Sequence, residues 1–140
     1  MKLSEYFDSD IDKNIITIND PTQYQIDNLK YICSILDKVR KKFGVIVITS
    51  GLRKAKEKYS QHEDGFALDF IVKNAQMKSV FEWIVKYIDF DQVIYENRNG
   101  SVWIHISSKK MCNRHQALVA FFDNSTKSMR YKSYIDDNSL

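Results

Sequence analysis

The stretch DQVIYENRNGSVWIHISS, residues 91–108, constrains the fold more than any other part of this 140-residue chain. Asn99-Gly100 is the dipeptide that best tolerates the positive φ angles of a two-residue hairpin turn, and alternating apolar residues flank it on both sides. An antiparallel hairpin is therefore expected. A two-residue turn also sets the register: Glu96 lies across from Trp103, Ile94 from His105, and Gln92 from Ser107. On the second strand Val102, Ile104 and Ile106 alternate with Trp103, His105 and Ser107. The aliphatic set belongs to a core, so His105 and Trp103 face away from it. Glu96 shares their face as a diagonal neighbour of His105. A longer loop would keep the face but move Glu96 too far along it.

The rest of the chain supplies elements for that hairpin to join. INDPTQYQIDNLKYICSILDKVRKKFG reads as a helix, with Asp20 as N-cap, Pro21 in the first helical position and Gln23 at a capping-box-like spacing. Ile26, Leu29, Cys33, Leu36, Val39 and Phe43 make its apolar stripe, and Gly44 ends it. VIVITSG and GFALDFIV read as buried strands, and NAQMKSVFEWIVKYI as a second helix. NRHQALVAFFDN reads as a last helix with Asn113 as its cap, followed by a polar tail after Asn124 with no assigned element. The mixture lacks regular βαβ alternation. It predicts one α+β domain over residues 1–140, a small and mainly antiparallel sheet packed with helices.

Composition narrows the function classes. At 44% hydrophobic and 13% aromatic residues the chain is not disordered. A net charge of +3 with scattered cations is too weak to argue for nucleic acid, and the densest run, RKAKEK, reads as a solvated loop. No apolar run approaches the ~20 residues of a membrane span. The opening MKLSEYFDSD turns acidic at once and has no apolar signal-peptide region, so delivery by other proteins is expected for work outside a cytoplasm. Cys33 lies on the helix stripe and reads as a buried thiol. Cys112 with His115 is half of a zinc knuckle whose second half is missing, so His115 reads as a core or surface histidine.

The chemistry gathers around Asp69. Alternation in GFALDFIV places Phe66, Leu68 and Phe70 on one face and Ala67, Asp69 and Ile71 on the other. A lone carboxylate in such a strand costs several kcal/mol unless it is paired or coordinated. The strand by itself favours a salt bridge or a strand end. His62, on the loop leading into the strand, adds a second group, because Gly65 permits a sharp turn between them. His105 on the hairpin is a candidate third. Two neutral imidazoles and a carboxylate are a zinc ligand set that leaves a position open for water. Glu96 is then the candidate base, with Gln92 and Trp103 on its face as candidate substrate contacts.

The motifs ITSGLR, SQHEDGFALD and VWIHIS together resemble the family of zinc D-Ala-D-Ala carboxypeptidases and phage peptidoglycan endopeptidases, which shares its fold with the Hedgehog signalling domain. The family pattern is S-G-x-R, S-x-H-x-x-G-x-A-x-D and W-x-H. It is met by Ser50, Gly51 and Arg53, by Ser60, His62, Gly65, Ala67 and Asp69, and by Trp103 and His105. The segments LSEYFDSD, VRKKFG and FDQVIYE also look like the compact phage-type members. The resemblance implies a Hedgehog/DD-peptidase-like fold and a monomeric zinc peptidase that hydrolyses amide bonds in peptidoglycan stem peptides or cross-links. It implies Zn²⁺ on His62, Asp69 and His105. Arg53 would hold a substrate carboxylate or the developing oxyanion, and Ser60 would orient the His62 loop or touch substrate. It places such an enzyme at the cell wall or in a virion. Two departures stand out. Several members carry a catalytic glutamate as E-x-x-H, where this chain has Val102. The loop KAKEKY replaces the N-x-x-x-G-G of many relatives. The first departure motivates an alternative, a zinc-binding, catalytically inactive Hedgehog-like module with a virion-structural or interaction role.

Overall fold

A computed structural model describes residues 15–56, 58–135 and 140. The acidic opening and residue 57 of the KAKEKY loop lie outside the described residues. Helix α1 (Gln23–Phe43) is followed by strands β1 (Ile46–Ser50) and β2 (Ala67–Val72), helix α2 (Met77–Tyr87), and strands β3 (Gln92–Arg98), β4 (Ser101–Ser107), β5 (Gln116–Asp123) and β6 (Ser128–Ser133). The strands form one sheet in the order β1-β2-β4-β3-β5-β6. The α+β expectation holds, but the sheet is mixed: β5 runs parallel to β3, and the other four pairings are antiparallel. Among the described residues no helix is long and apolar enough to cross a membrane.

The β3–β4 hairpin forms in the register that a two-residue turn dictates, with Ile94 across from His105 and Glu96 across from Trp103. Asn99 and Gly100 take φ angles of 52° and 94°, both positive as a type I′ turn demands. Alternation then divides the sheet into two faces. Ile48, Leu68, Phe70, Val93, Ile104 and Ile106 join Leu29, Ile32, Leu36 and Val39 of α1 and Val80, Phe81 and Ile84 of α2 in one core. Each such aliphatic or aromatic side chain contributes about 1.5–3 kcal/mol when fully buried. The helices cover that face, and Asp69, His105, Ile94 and Glu96 fall on the other.

Two expectations are corrected. The N-cap of α1 is Thr22, not Asp20. The Thr22 hydroxyl accepts from the Gln25 amide at 3.1 Å, and the Gln25 side chain accepts from the Thr22 amide at 2.8 Å, which is a full capping box. Pro21 and Gln23 therefore do not hold the positions that Asp20 capping assigns them; Gln23 instead donates to Asp27. Secondly, NRHQALVAFFDN is not a helix: residues 116–123 form β5, and β6 follows within the polar tail. Gln116–Asp123 is a short continuous apolar run, which periodicity cannot assign. Pairing with β3 on one side and β6 on the other outweighs the helix propensity of Gln, Ala and Leu. His115 precedes β5 with φ 54° and stacks on Phe90, ring centroids 4.1 Å apart.

Candidate metal centre

Three elements deliver three donor atoms to one point. Asp69 and His105 are direct cross-strand partners in the β2–β4 ladder, so their side chains rise side by side. His62 arrives from the loop between β1 and β2. That loop is tied down from below by α1: Gln25 donates its side-chain amide to the Glu63 carbonyl at 3.0 Å, and Asn28 donates to the Asp64 carbonyl at 2.9 Å. Gln25, the partner of Thr22 in the capping box, thus also fixes the His62 loop. Gly65 turns the chain into β2 at φ 82°, and a Cβ there would collide with the Gln25 carbonyl. Ser60 accepts from the His62 backbone amide at 3.3 Å, so its hydroxyl shapes the loop.

The donor atoms form a nearly equilateral triangle. His105 Nδ1 lies 3.0 Å from Asp69 Oδ1, His62 Nε2 lies 3.3 Å from the same oxygen, and the two nitrogens are 3.2 Å apart. His62 Nδ1 is 2.8 Å from the Gly51 carbonyl, to which it must donate. In a neutral imidazole the lone pair then falls on Nε2, aimed at the other two. Three acceptors this close repel one another unless a proton or a cation lies among them. A tetrahedral zinc with ligands at about 2.0–2.1 Å sets neighbouring ligand atoms about 3.3–3.4 Å apart. The triangle matches that spacing, so His62, Asp69 and His105 could hold a metal ion. Burial pushes the Asp69 carboxyl up, but the His105 and His62 imidazoles, when protonated on their facing nitrogens, outweigh it and hold the group well below the usual carboxylate range. His105 Nε2 is buried without a hydrogen-bond partner among the described residues, which leaves Nδ1 as that ring's working nitrogen.

The triangle sits in an open cleft of about 1370 Å³ whose walls carry every residue singled out in the sequence: Arg53, Ser60, Gln92, Glu96 and Trp103. Arg53 is aimed by a β-bulge. The β1–β2 register slips between Ile48 and Ser50, which leaves Ser50 across from Asp69 and its hydroxyl 3.0 Å from Arg53 Nε. Glu96 reaches the same face from β3. Burial, with Asp69 nearby, pushes its carboxyl up to about 7, against opposing pulls from His105, the Trp103 indole and Arg53. Val102, three residues before His105, belongs to the other alternation set of β4 from His105, whereas Glu96 shares the His105 face. Gln92 is less available than its position suggests, because its side-chain amide donates to Gln116 at 2.8 Å.

Several residues of this region went unread in the sequence. Asp91 is fully buried beneath the cleft and takes Arg114 at 2.8–3.2 Å and Gln61 at 2.7 Å. Leu118 and Tyr131, from β5 and β6, line the cleft beyond Glu96. They lie in a segment read as helix and tail, whose sequence shows no clear period-two alternation.

No curated protein and no solved structure matches the chain. A family model described as Peptidase M15 matches residues 7–107, which include Arg53, His62, Asp69, Glu96 and His105 and end with β4. That match covers well over half of the chain, and by it the chain belongs to the peptidase M15 family, the zinc D-Ala-D-Ala carboxypeptidase-like family.

Proposed function

We propose that this protein is a zinc metallopeptidase that hydrolyses amide bonds in peptidoglycan stem peptides or cross-links, as a wall-lytic enzyme of the phage type. The observation that carries the reading is the triangle of donor atoms 3.0–3.3 Å apart in one cleft with the Glu96 carboxyl. His62 Nε2, Asp69 Oδ1 and His105 Nδ1 hold the zinc. When bound, zinc lowers the pKa of a water toward neutrality and polarises the scissile carbonyl.

The chain's own groups do the rest. Glu96 is poised to take a proton from the attacking water and return it to the leaving amine, and a carboxyl near 7 suits both tasks at neutral pH. The Trp103 indole, across the hairpin from Glu96, favours the ionised form of that carboxyl. Arg53, held by Ser50, offers its remaining N–H groups to a substrate carboxylate or to charge developing on the carbonyl oxygen. Ser60 keeps the His62 loop in shape.

The test is release of soluble fragments from purified peptidoglycan, with and without a chelator. Activity is expected to vanish with zinc and in His105→Ala. Activity that survives either change sinks the reading. The second reading, a zinc-binding module without turnover, is favoured by Val102 at the E-x-x-H position. It predicts stoichiometric zinc and no hydrolysis of any wall peptide.

A further inference from the structure

The strands after the family match do more than widen the sheet. In register across the open face, Trp103 pairs with Glu96, Glu96 with Ala120, and Ala120 with Tyr131. One row along, His105 pairs with Ile94, and Ile94 with Leu118. Ala120 is the small residue in its row, fully buried between two larger neighbours. Tyr131 therefore stands on the far side of Glu96 from the metal triangle, 56% exposed as a residue and lining the cleft.

This wall is rigidly mounted. Six residues of β5 pair in parallel with β3. At the start of β5, Arg114 closes on buried Asp91, His115 and Gln116 donate their amides to the Phe90 and Asp91 carbonyls, and His115 stacks on Phe90. After β6, Tyr134 packs edge-on against Phe81 at 5.0 Å. Leu118 and Tyr131 themselves carry no charge. Of the cations on this side, Arg114 is engaged by Asp91 and Arg98 stacks over Phe122 at 4.6 Å. Arg53 and Lys56 line the cleft on the other side of the triangle.

We propose that Leu118 and Tyr131 form a specificity wall that holds the uncharged part of a peptide substrate N-terminal to the scissile bond. The proposal rests on the peptidase reading. With a substrate carboxylate drawn to Arg53, a peptide crossing the triangle lays its N-terminal side over Glu96 and against the Tyr131 ring. The ring covers apolar side-chain surface there, and Leu118 with Ile94 gives it an apolar floor.

The experiment uses the zinc-loaded protein and N-acetylated stem peptides ending in D-Ala-D-Ala, with thermal melts to verify folding of each variant. Tyr131→Ala should raise KM about tenfold and leave kcat nearly unchanged, while Tyr131→Phe, which keeps the ring, stays close to the wild type. An unchanged KM in Tyr131→Ala overturns the proposal, as does a fall in kcat at constant KM. If the zinc-loaded wild type cleaves none of the peptides, the peptidase reading fails separately, and the wall is judged by titrating the same peptide into both proteins. Binding about tenfold weaker in Tyr131→Ala supports the wall; equal affinity, or no binding by the wild type, overturns it.

Discussion

Asp69 and Asp91 are two acidic residues under one cleft, both held well below the usual carboxylate range, and they do opposite work. Asp91 is fully buried and saturated with donors whose protons are permanent: the Arg114 guanidinium, the Arg114 backbone amide and the Gln61 side chain. Its neighbours meet its charge at every pH where the protein functions. Among the described residues, Asp69 is offered two imidazoles. Each donates to it only when it carries a proton on the facing nitrogen, and that proton is what a metal ion replaces. Permanent partners make Asp91 a brace, and conditional partners leave Asp69 able to take a metal ion. The comparison also explains why the brace matters to the site: Gln61, which bonds Asp91, is the residue before His62.

Breaking each acid separately sharpens this contrast, and the largest effect is expected at Asp69. Asp69→Asn should weaken zinc binding by more than about a hundredfold in a chelator competition, because the ligand lost is the only anionic one. The metal-free fold should lose less than about 1 kcal/mol. A large loss of stability with zinc affinity retained contradicts the assignment.

Glu96→Gln comes next. It should lower kcat by about 10²–10⁴-fold with one zinc per chain still bound. In the zinc-loaded wild type kcat/KM should rise with pH along an acid limb set by Glu96, below the value of about 7 that holds without metal, because only the ionised form accepts a proton. Bound zinc, being cationic, moves that limb lower. A pH profile with no such limb, or one that persists in Glu96→Gln, removes Glu96 from the base role.

Arg114→Ala addresses the brace. It strips Asp91 of its permanent cation and should cost about 1–2 kcal/mol in denaturant unfolding, because the guanidinium is half exposed, with zinc affinity nearly intact. The pH dependence has a definite sign. A depressed folded-state pKa gives stability that is present above the unfolded value, about 3.9, and is lost as pH falls through and below it. The wild type should therefore lose the Asp91 contribution only in acid, and the gap between wild type and variant should close there. A constant gap down to strong acid breaks the account of Asp91.

The smallest effect is the stability cost of the base. Glu96 is raised, so the folded state holds its proton more tightly than the unfolded state between about 4.3 and 7. Metal-free wild-type stability should fall as pH rises through that window, and Glu96→Gln should remove part of the fall. Urea titrations at pH 5 and pH 8 measure it.

Much of the centre was legible because its geometry is set locally. Asn99-Gly100 dictates the β3–β4 register, which places Glu96 and His105 on one face, and the spacing from His62 to Asp69 spans one loop and half a strand. The S-x-H-x-x-G-x-A-x-D motif then names the loop outright. The C-terminal wall was not legible. Leu118 and Tyr131 reach the cleft only because β5 leaves β4 over an eight-residue connection, passes over β3 and pairs on its far side. That choice is made by tertiary pairing, and Gln-Ala-Leu-Val-Ala carries a helix propensity that argues the other way. The N-cap error has a similar cause. Asp20 and Thr22 both satisfy the local rule, and Thr22 prevails because its partner Gln25 also has the Glu63 carbonyl to bind.

The central claim is that a zinc held by His62, Asp69 and His105 works with Glu96 to cut peptides. Its most direct test is the release of soluble fragments from purified peptidoglycan by zinc-loaded wild type and zinc-loaded Glu96→Gln, compared at equal zinc content. The account predicts release by the wild type and a rate at least about a hundredfold lower for the variant. Equal rates in the two proteins, or no release by a wild type carrying one zinc per chain, would contradict it.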